Sequence, residues 1–183
     1  VKAAYNSDGT VTLLHGTSSA NAELIKAQGF KTSNPAAVAK MVEDEYNLPE
    51  GSVLNNRAYE FAKHRSDLDK VHFTSNFDVA AQYTVPEQLQ DALTAAYWVL
   101  HPEIGDMNIN DVHPKLKEWV STEGKRLAQP KVLAVIMPWE LIGDYAFSRK
   151  ISLAEYQEIA DGDLPDLVSI PVAMLVNVKV QET

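Results

Sequence analysis

The chain has no cysteine, and that single absence excludes disulfides, thiolate metal sites and a cysteine nucleophile. No apolar run is long enough to cross a bilayer, and the first residues carry no signal-peptide pattern. Because it opens Val1-Lys2 without Met, the chain is expected to be a piece excised from a longer protein, so targeting signals are not decided by it. Basic residues are few: sixteen against twenty-five acidic ones, a net charge of −9. Their scatter argues against a broad phosphate-binding face for duplex nucleic acid, while leaving room for a local groove. There is no P-loop and no Gly-rich dinucleotide fingerprint. His64, His101 and His113 stand at no ligand spacing, so no metal is expected.

What is present fits one globular domain over residues 1–183, with 45% hydrophobic residues to build a sizeable core. The near-continuous apolar run Lys131–Met137 reads as a central buried strand. Helices are expected over Ser19–Gln28, from Asn34-Pro35 onward, over Val53–His64, Phe77–Tyr83, Glu87–Leu100, from Pro114 to about Leu127, and over Ser152–Ala160. Strands are expected over Thr10–Leu14, Val71–Ser75, Ile142–Arg149 and Ala173–Val180, with a loop over His101–Asp111. Glu43-Asp44-Glu45 reads as a solvated helix face, and Trp98 and Trp119 as core. Strands at both ends with helices inserted between them predict an α+β fold.

Chemistry concentrates in two segments that share one plan: strand, polar turn, short helix. The first is Leu13-Leu14-His15-Gly16-Thr17-Ser18-Ser19 and the helix after it. Gly16 lets the backbone turn or approach a ligand closely, and Ser18 or Ser19 is placed to cap the helix. The second is Val71-His72-Phe73-Thr74-Ser75-Asn76, followed by a helix ending Ala80-Ala81-Gln82-Tyr83. His72 and Tyr83 suit the two walls of a flat pocket for a planar heteroaromatic ring. Taken singly, His15 reads as a hydrogen-bonded strand-end histidine and Tyr83 as core. Only the shared plan raises them to site residues.

Read together, these segments resemble the ADP-ribosyltransferase family, in its His-Tyr-Glu branch of diphtheria-toxin-like and poly(ADP-ribose)-polymerase-like enzymes. Leu14-His15-Gly16-Thr17 is similar to the family's first motif, and Val71-His72-Phe73-Thr74 with Ala80-Ala81-Gln82-Tyr83 to its second. Ile170-Pro171-Val172-Ala173 is similar to a third, which reads Ile-Pro-x-Glu. The resemblance implies a split β-sandwich core with inserted helices and NAD as co-substrate, held without a Rossmann unit. It implies that His15 bonds the adenosine-side ribose, that the Gly16 backbone holds the nicotinamide amide and that Tyr83 stacks on the nicotinamide. Thr17, Phe73 and Thr74 line the same site, and His72 stands where the family has a tyrosine. Ala80 occupies a position where a small hydroxyl residue is common.

Ala173 is the main departure, because the family places its catalytic glutamate there. Breaking the nicotinamide–ribose bond builds positive charge on the ribose, and a carboxylate stabilises it; alanine does not. Three explanations follow: a glutamate replaced by alanine, a domain that binds without catalysis, or a last strand aligned wrongly. Glu140, Glu155, Glu158 and Asp166 are the alternative carboxylates. The function implied first is an ADP-ribosyltransferase, a glycosyltransferase-class enzyme whose catalytic set would be His15, His72 and residue 173. It would be a soluble toxin or effector domain, secreted or delivered, inactivated at Ala173, with nicotinamide as product. Its acceptor is open among protein, nucleic acid, small molecule and water, as is an inhibitory partner protein, and no membrane association is expected. The second reading is a non-catalytic module binding NAD, ADP-ribose or a protein. The third is an RNA 2′-phosphotransferase-like enzyme, ranked last because basic residues do not gather at the motifs.

Overall fold

Side-chain caps decide where many of the helices begin. Ser18, Asn34, Asn76 and Ser152 each accept a hydrogen bond from a first-turn backbone N–H, satisfying donors that a helix start otherwise leaves orphaned. The computed structural model describes residues 2–104, 114–146 and 150–183, and of residues 145 and 146 only the backbone. In chain order the elements are β1 (Ala4–Tyr5), β2 (Thr10–Ser18), α1 (Ser19–Gln28), α2 (Pro35–Glu45) and a 3-10 turn (Arg57–Tyr59) leading into α3 (Glu60–Lys63). Next come β3 (Lys70–Phe73), α4 (Phe77–Gln82), α5 (Glu87–Leu100), a 3-10 turn (Pro102–Ile104), α6 (Pro114–Ala128) and β4 (Pro130–Pro138). The chain continues through α7 (Trp139–Ala146), α8 (Leu153–Ile159), β5 (Val168–Pro171), a 3-10 turn (Val172–Met174) and β6 (Lys179–Glu182). The fold is α+β with antiparallel sheets.

By its internal contacts the chain divides into two compact units. The first, 1–32 with 69–84 and 130–183, holds every strand found among the described residues. Its larger sheet has the order β1-β2-β4-β6, and β3-β5 form a second, two-stranded sheet. β4 is therefore an inner strand of the larger sheet, as its apolar run predicts. Alternation sends Val11 and Leu13 of β2 into the main core with Phe30, Phe73, Leu133, Val135 and Ile170. Leu14 goes to the other face, with Ala80, Val132 and Ala134. The second unit, 33–68 with 85–129, is helical. Leu89, Leu93, Ala96 and Tyr97 of α5 pack there with Ala39 and Val42 of α2 and Leu116 and Val120 of α6, burying the stripe that the helical spacing predicts except for Leu100 at its end, which is exposed.

Several expectations are corrected. The strand expected over Ile142–Arg149 is the helix α7, its residues 147–149 lying outside the described set. Trp139 and Ile142, one helical turn apart, are both buried, and the Trp139 indole donates to the Ile151 carbonyl at 2.7 Å. The helix expected over Val53–His64 is reduced to a 3-10 turn and the four-residue α3. The cause is Glu43, which is not solvated but 4% exposed. Its carboxylate accepts from the backbone N–H groups of Gly51 (3.0 Å), Val53 (2.9 Å) and Leu54 (3.2 Å), fixing that stretch as turns. The loop expected over His101–Asp111 begins with a 3-10 turn at Pro102, and its remainder, with His113 beyond it, lies outside the described residues.

The strand expected over Ala173–Val180 is also corrected. Ala173 lies in the 3-10 turn, and the strand starts only at Lys179. The Val172 N–H donates to the Asp69 carbonyl at 2.7 Å, and Leu175 turns into the core at 5% exposure while Val176 is 78% exposed. Leu175 is thus buried in place of the Met174–Val176 row that period-2 reading puts on one face.

Candidate functional site

The candidate residues from the first two segments meet in the first unit, where β2 and β3 touch once and then part. Leu14 and Thr74 exchange both backbone hydrogen bonds, N–H to carbonyl at 2.7 and 2.9 Å, in an isolated antiparallel bridge. Continued pairing would set Gly16 opposite His72. Instead the His15 side chain enters, with Nδ1 2.9 Å from the His72 carbonyl oxygen. A carbonyl only accepts, so Nδ1 carries the proton in this contact. Burial against Phe30 (ring centroids 5.4 Å apart) and Phe73 (5.7 Å) holds the imidazole below the usual histidine pKa; the His72 carbonyl opposes this shift, and the neighbouring His72 ring adds to it. In the neutral ring, Nε2 is then an acceptor, suited to a hydroxyl donor such as that of a ribose.

Gly16 lies in β2 rather than in the turn expected for it. The ladder with β4 pairs His15 with Leu133, Gly16 with Val132 and Thr17 with Lys131. Opposed residues in an antiparallel pair alternate between exchanging both bonds and exchanging none. The Leu14 N–H is committed to Thr74, so Leu14 is a non-bonded partner of Ala134, and Gly16, two residues on, is likewise non-bonded to Val132. Its N–H and C=O therefore point to the edge where β3 has diverged, presenting a donor and an acceptor side by side. A primary carboxamide matches that pair with its own C=O and N–H.

The other face of Gly16 is closed by α4. A Cβ on Gly16 would sit inside contact distance of the Ala80 carbonyl, 2.9 Å from its carbon and 3.2 Å from the Thr84 nitrogen. Ala80 is itself buried between Leu14 and β4 residues, so a small residue is needed there for packing. Tyr83 follows α4 directly and is 46% exposed, which is not the burial of a core tyrosine. Thr17, Phe73 and Thr74 are buried; the Thr74 hydroxyl accepts from the Asn76 N–H at 3.1 Å, bracing the turn into α4.

His72 faces away from the core formed by Val71, Phe73, Val168 and Ile170. Its register partner across the small sheet is Ser169, whose hydroxyl lies 2.6 Å from His72 Nδ1. Sequence reasoning passed over Ser169; its place opposite His72 follows only from strand register. Ala173 is exposed beyond the Lys70–Pro171 end of this sheet, so the structure does not gather it with the others. Among the alternative carboxylates, Glu140 opens α7, Glu155 and Glu158 lie on α8, and Asp166 precedes β5 by two residues. Among the described residues, no group of three or more His, Asp or Glu is arranged to hold a metal, and no helix is long and apolar enough to cross a membrane.

No protein-family model, curated protein or solved structure matches the chain. The functional reading therefore stands on this geometry and on the residue pattern.

Proposed function

We propose that the first unit binds NAD and that the chain is an ADP-ribosyltransferase, transferring ADP-ribose with release of nicotinamide. The observation that supports this is the unpaired backbone of Gly16, donor and acceptor together, at the point where His15 holds β2 and β3 apart. In this reading the nicotinamide carboxamide pairs with the Gly16 N–H and C=O, replacing the water that an open strand edge otherwise holds. His15 Nε2 accepts from a ribose hydroxyl. Tyr83, at the end of the helix that covers Gly16, offers its ring for stacking on the pyridine, an interaction of about 0.5–1.5 kcal/mol beyond area burial. Bond cleavage develops positive charge at the anomeric carbon, and a carboxylate there would favour it.

A second reading, NAD binding without turnover, is favoured by one observation: position 173, where the resemblance expects a carboxylate, holds an exposed alanine in the 3-10 turn beyond the small sheet. The experiment that separates the readings is calorimetric titration with NAD beside an assay of nicotinamide release, run on the parent, Ala173→Glu and Asp166→Asn. Release raised by orders of magnitude in Ala173→Glu assigns the missing carboxylate to position 173. Release by the parent that is lost in Asp166→Asn assigns it to Asp166. Binding without release in any of the three supports the binding module, and no binding at all refutes both readings.

A further inference from the structure

We infer that Ser169 is an internal acceptor for ADP-ribose, with His72 as its general base, so that the chain modifies itself at this serine; the inference rests on the NAD-binding reading above. Three observations carry it. The Ser169 hydroxyl and His72 Nδ1 are 2.6 Å apart, within the range for a hydroxyl donating to an imidazole nitrogen. Both side chains point away from the core, since their strand neighbours Val71, Phe73, Val168 and Ile170 fill it. Both also lie on the strands that follow Gly16 across the parting of β2 from β3: if pairing continued past Leu14–Thr74, Gly16, His72 and Ser169 would share one row.

Nicotinamide carries its carboxamide and its glycosidic bond on different ring positions. An amide seated on the Gly16 edge therefore directs the anomeric carbon away from β2, toward the side where His72 and Ser169 stand. A serine hydroxyl is a weak nucleophile until a neighbouring base takes its proton, and His72 is already in hydrogen-bond contact with that proton. In the step, Ser169 Oγ forms a bond to the anomeric carbon of the nicotinamide-side ribose. The bond from that carbon to the pyridine nitrogen breaks, and its electron pair leaves with nicotinamide, discharging the pyridinium. The hydroxyl proton passes to His72 Nδ1 and then to solvent. The products are neutral nicotinamide and an O-linked ADP-ribosyl serine, with no further reactant required.

An ordinary cross-strand hydrogen bond would give the same distance, so the test reads chemistry rather than stability. The full chain is incubated with NAD, and its intact mass, the modified residue by peptide mapping, nicotinamide release and NAD binding are all measured. The expected result is a single ADP-ribosyl adduct on Ser169, absent in Ser169→Ala and restored in Ser169→Thr. His72→Gln keeps a hydrogen-bond partner for the hydroxyl but removes the base, and is expected to slow adduct formation by about 100-fold or more. Thermal unfolding of each variant shows whether it is folded. Nicotinamide release with no adduct on Ser169 overturns the inference and leaves the transferase reading standing. NAD binding with neither release nor adduct overturns it, and Ala173→Glu then separates a transferase that lacks its carboxylate from the binding module. A chain that does not bind NAD overturns both the inference and the function beneath it.

Discussion

Replacing Gly16 by alanine tests the packing and the site together. The new Cβ would fall against the Ala80 carbonyl, 2.9 Å from its carbon and 3.2 Å from the Thr84 nitrogen, and these are backbone atoms that no rotamer change moves. β2 cannot retreat, because His15 and Thr17 on either side are paired with Leu133 and Lys131 of β4. The six-residue α4 has to give instead, and Tyr83 follows it directly. Overpacking of this kind costs about 1–3 kcal/mol. The lost freedom of glycine in the unfolded chain returns about 0.4–1 kcal/mol. A net loss of about 1–2 kcal/mol is expected in urea unfolding followed by tryptophan fluorescence, together with weaker NAD binding by calorimetry. Gly16→Ala as stable as the parent would refute the close approach of α4. A destabilised variant that binds NAD undiminished would keep the packing and remove Gly16 and Tyr83 from the site.

Three further outcomes are expected. The Gly16 amide should exchange with solvent faster than the His15 and Thr17 amides, whose residues stand in bonded pairs with β4, and added nicotinamide should slow it; equal protection of all three, by NMR, would contradict the open edge. Glu43→Ala leaves three backbone N–H groups without their acceptor and should cost about 3 kcal/mol in equilibrium urea unfolding, and a loss below about 0.5 kcal/mol would show that water replaces the carboxylate. Burial lowers the pKa of His15 in the folded chain, so as pH falls through the usual histidine value of about 6.5 the unfolded chain takes up protons that the folded one refuses. Stability is therefore complete above that value and declines with acid until the folded pKa is reached; His15→Asn, which keeps a donor for the His72 carbonyl, should flatten that part of the profile.

The parts of this fold governed by local chemistry are the parts the sequence reveals. Ser18, Asn34, Asn76 and Ser152 announce their helices because capping is decided within three residues. The apolar run of β4 and the periodic stripe of α5 are similarly plain. Misreadings occur where a distant partner decides. Ile142–Arg149 is too short a stretch to separate helix from strand by its spacing, and the Ile151 carbonyl that anchors the Trp139 indole at the start of the helix lies twelve residues beyond that tryptophan. Glu43 looks solvated within Glu43-Asp44-Glu45, since its backbone partners are eight to eleven residues away. Ala173 joins a strand only if alternation from Met174 to Val180 is trusted, and the turn closed by the Leu175 N–H on the Val172 carbonyl, which delivers Leu175 to the core, overrides it. Ser169 was invisible for the same reason: nothing local marks a serine as the register partner of a histidine 97 positions earlier.

The candidate site follows from one strand meeting three demands at once. β2 sends Val11 and Leu13 into the core and lays Leu14 under α4. Past the Leu14–Thr74 bridge, none of the described strands pairs with its backbone on that edge. A bare edge would ordinarily close up, because β3 runs alongside with the His72 carbonyl as a ready acceptor. His15 prevents this by occupying that carbonyl with its own imidazole, wedged between Phe30 and Phe73. The residue that keeps the two strands apart is therefore the one that the proposed function assigns to a ribose hydroxyl. A glycine must come next, because α4 closes the opposite face at backbone distance. The succession His15-Gly16 thus has a structural reason at each position, and the second leaves an amide and a carbonyl facing the edge where β3 has parted from β2.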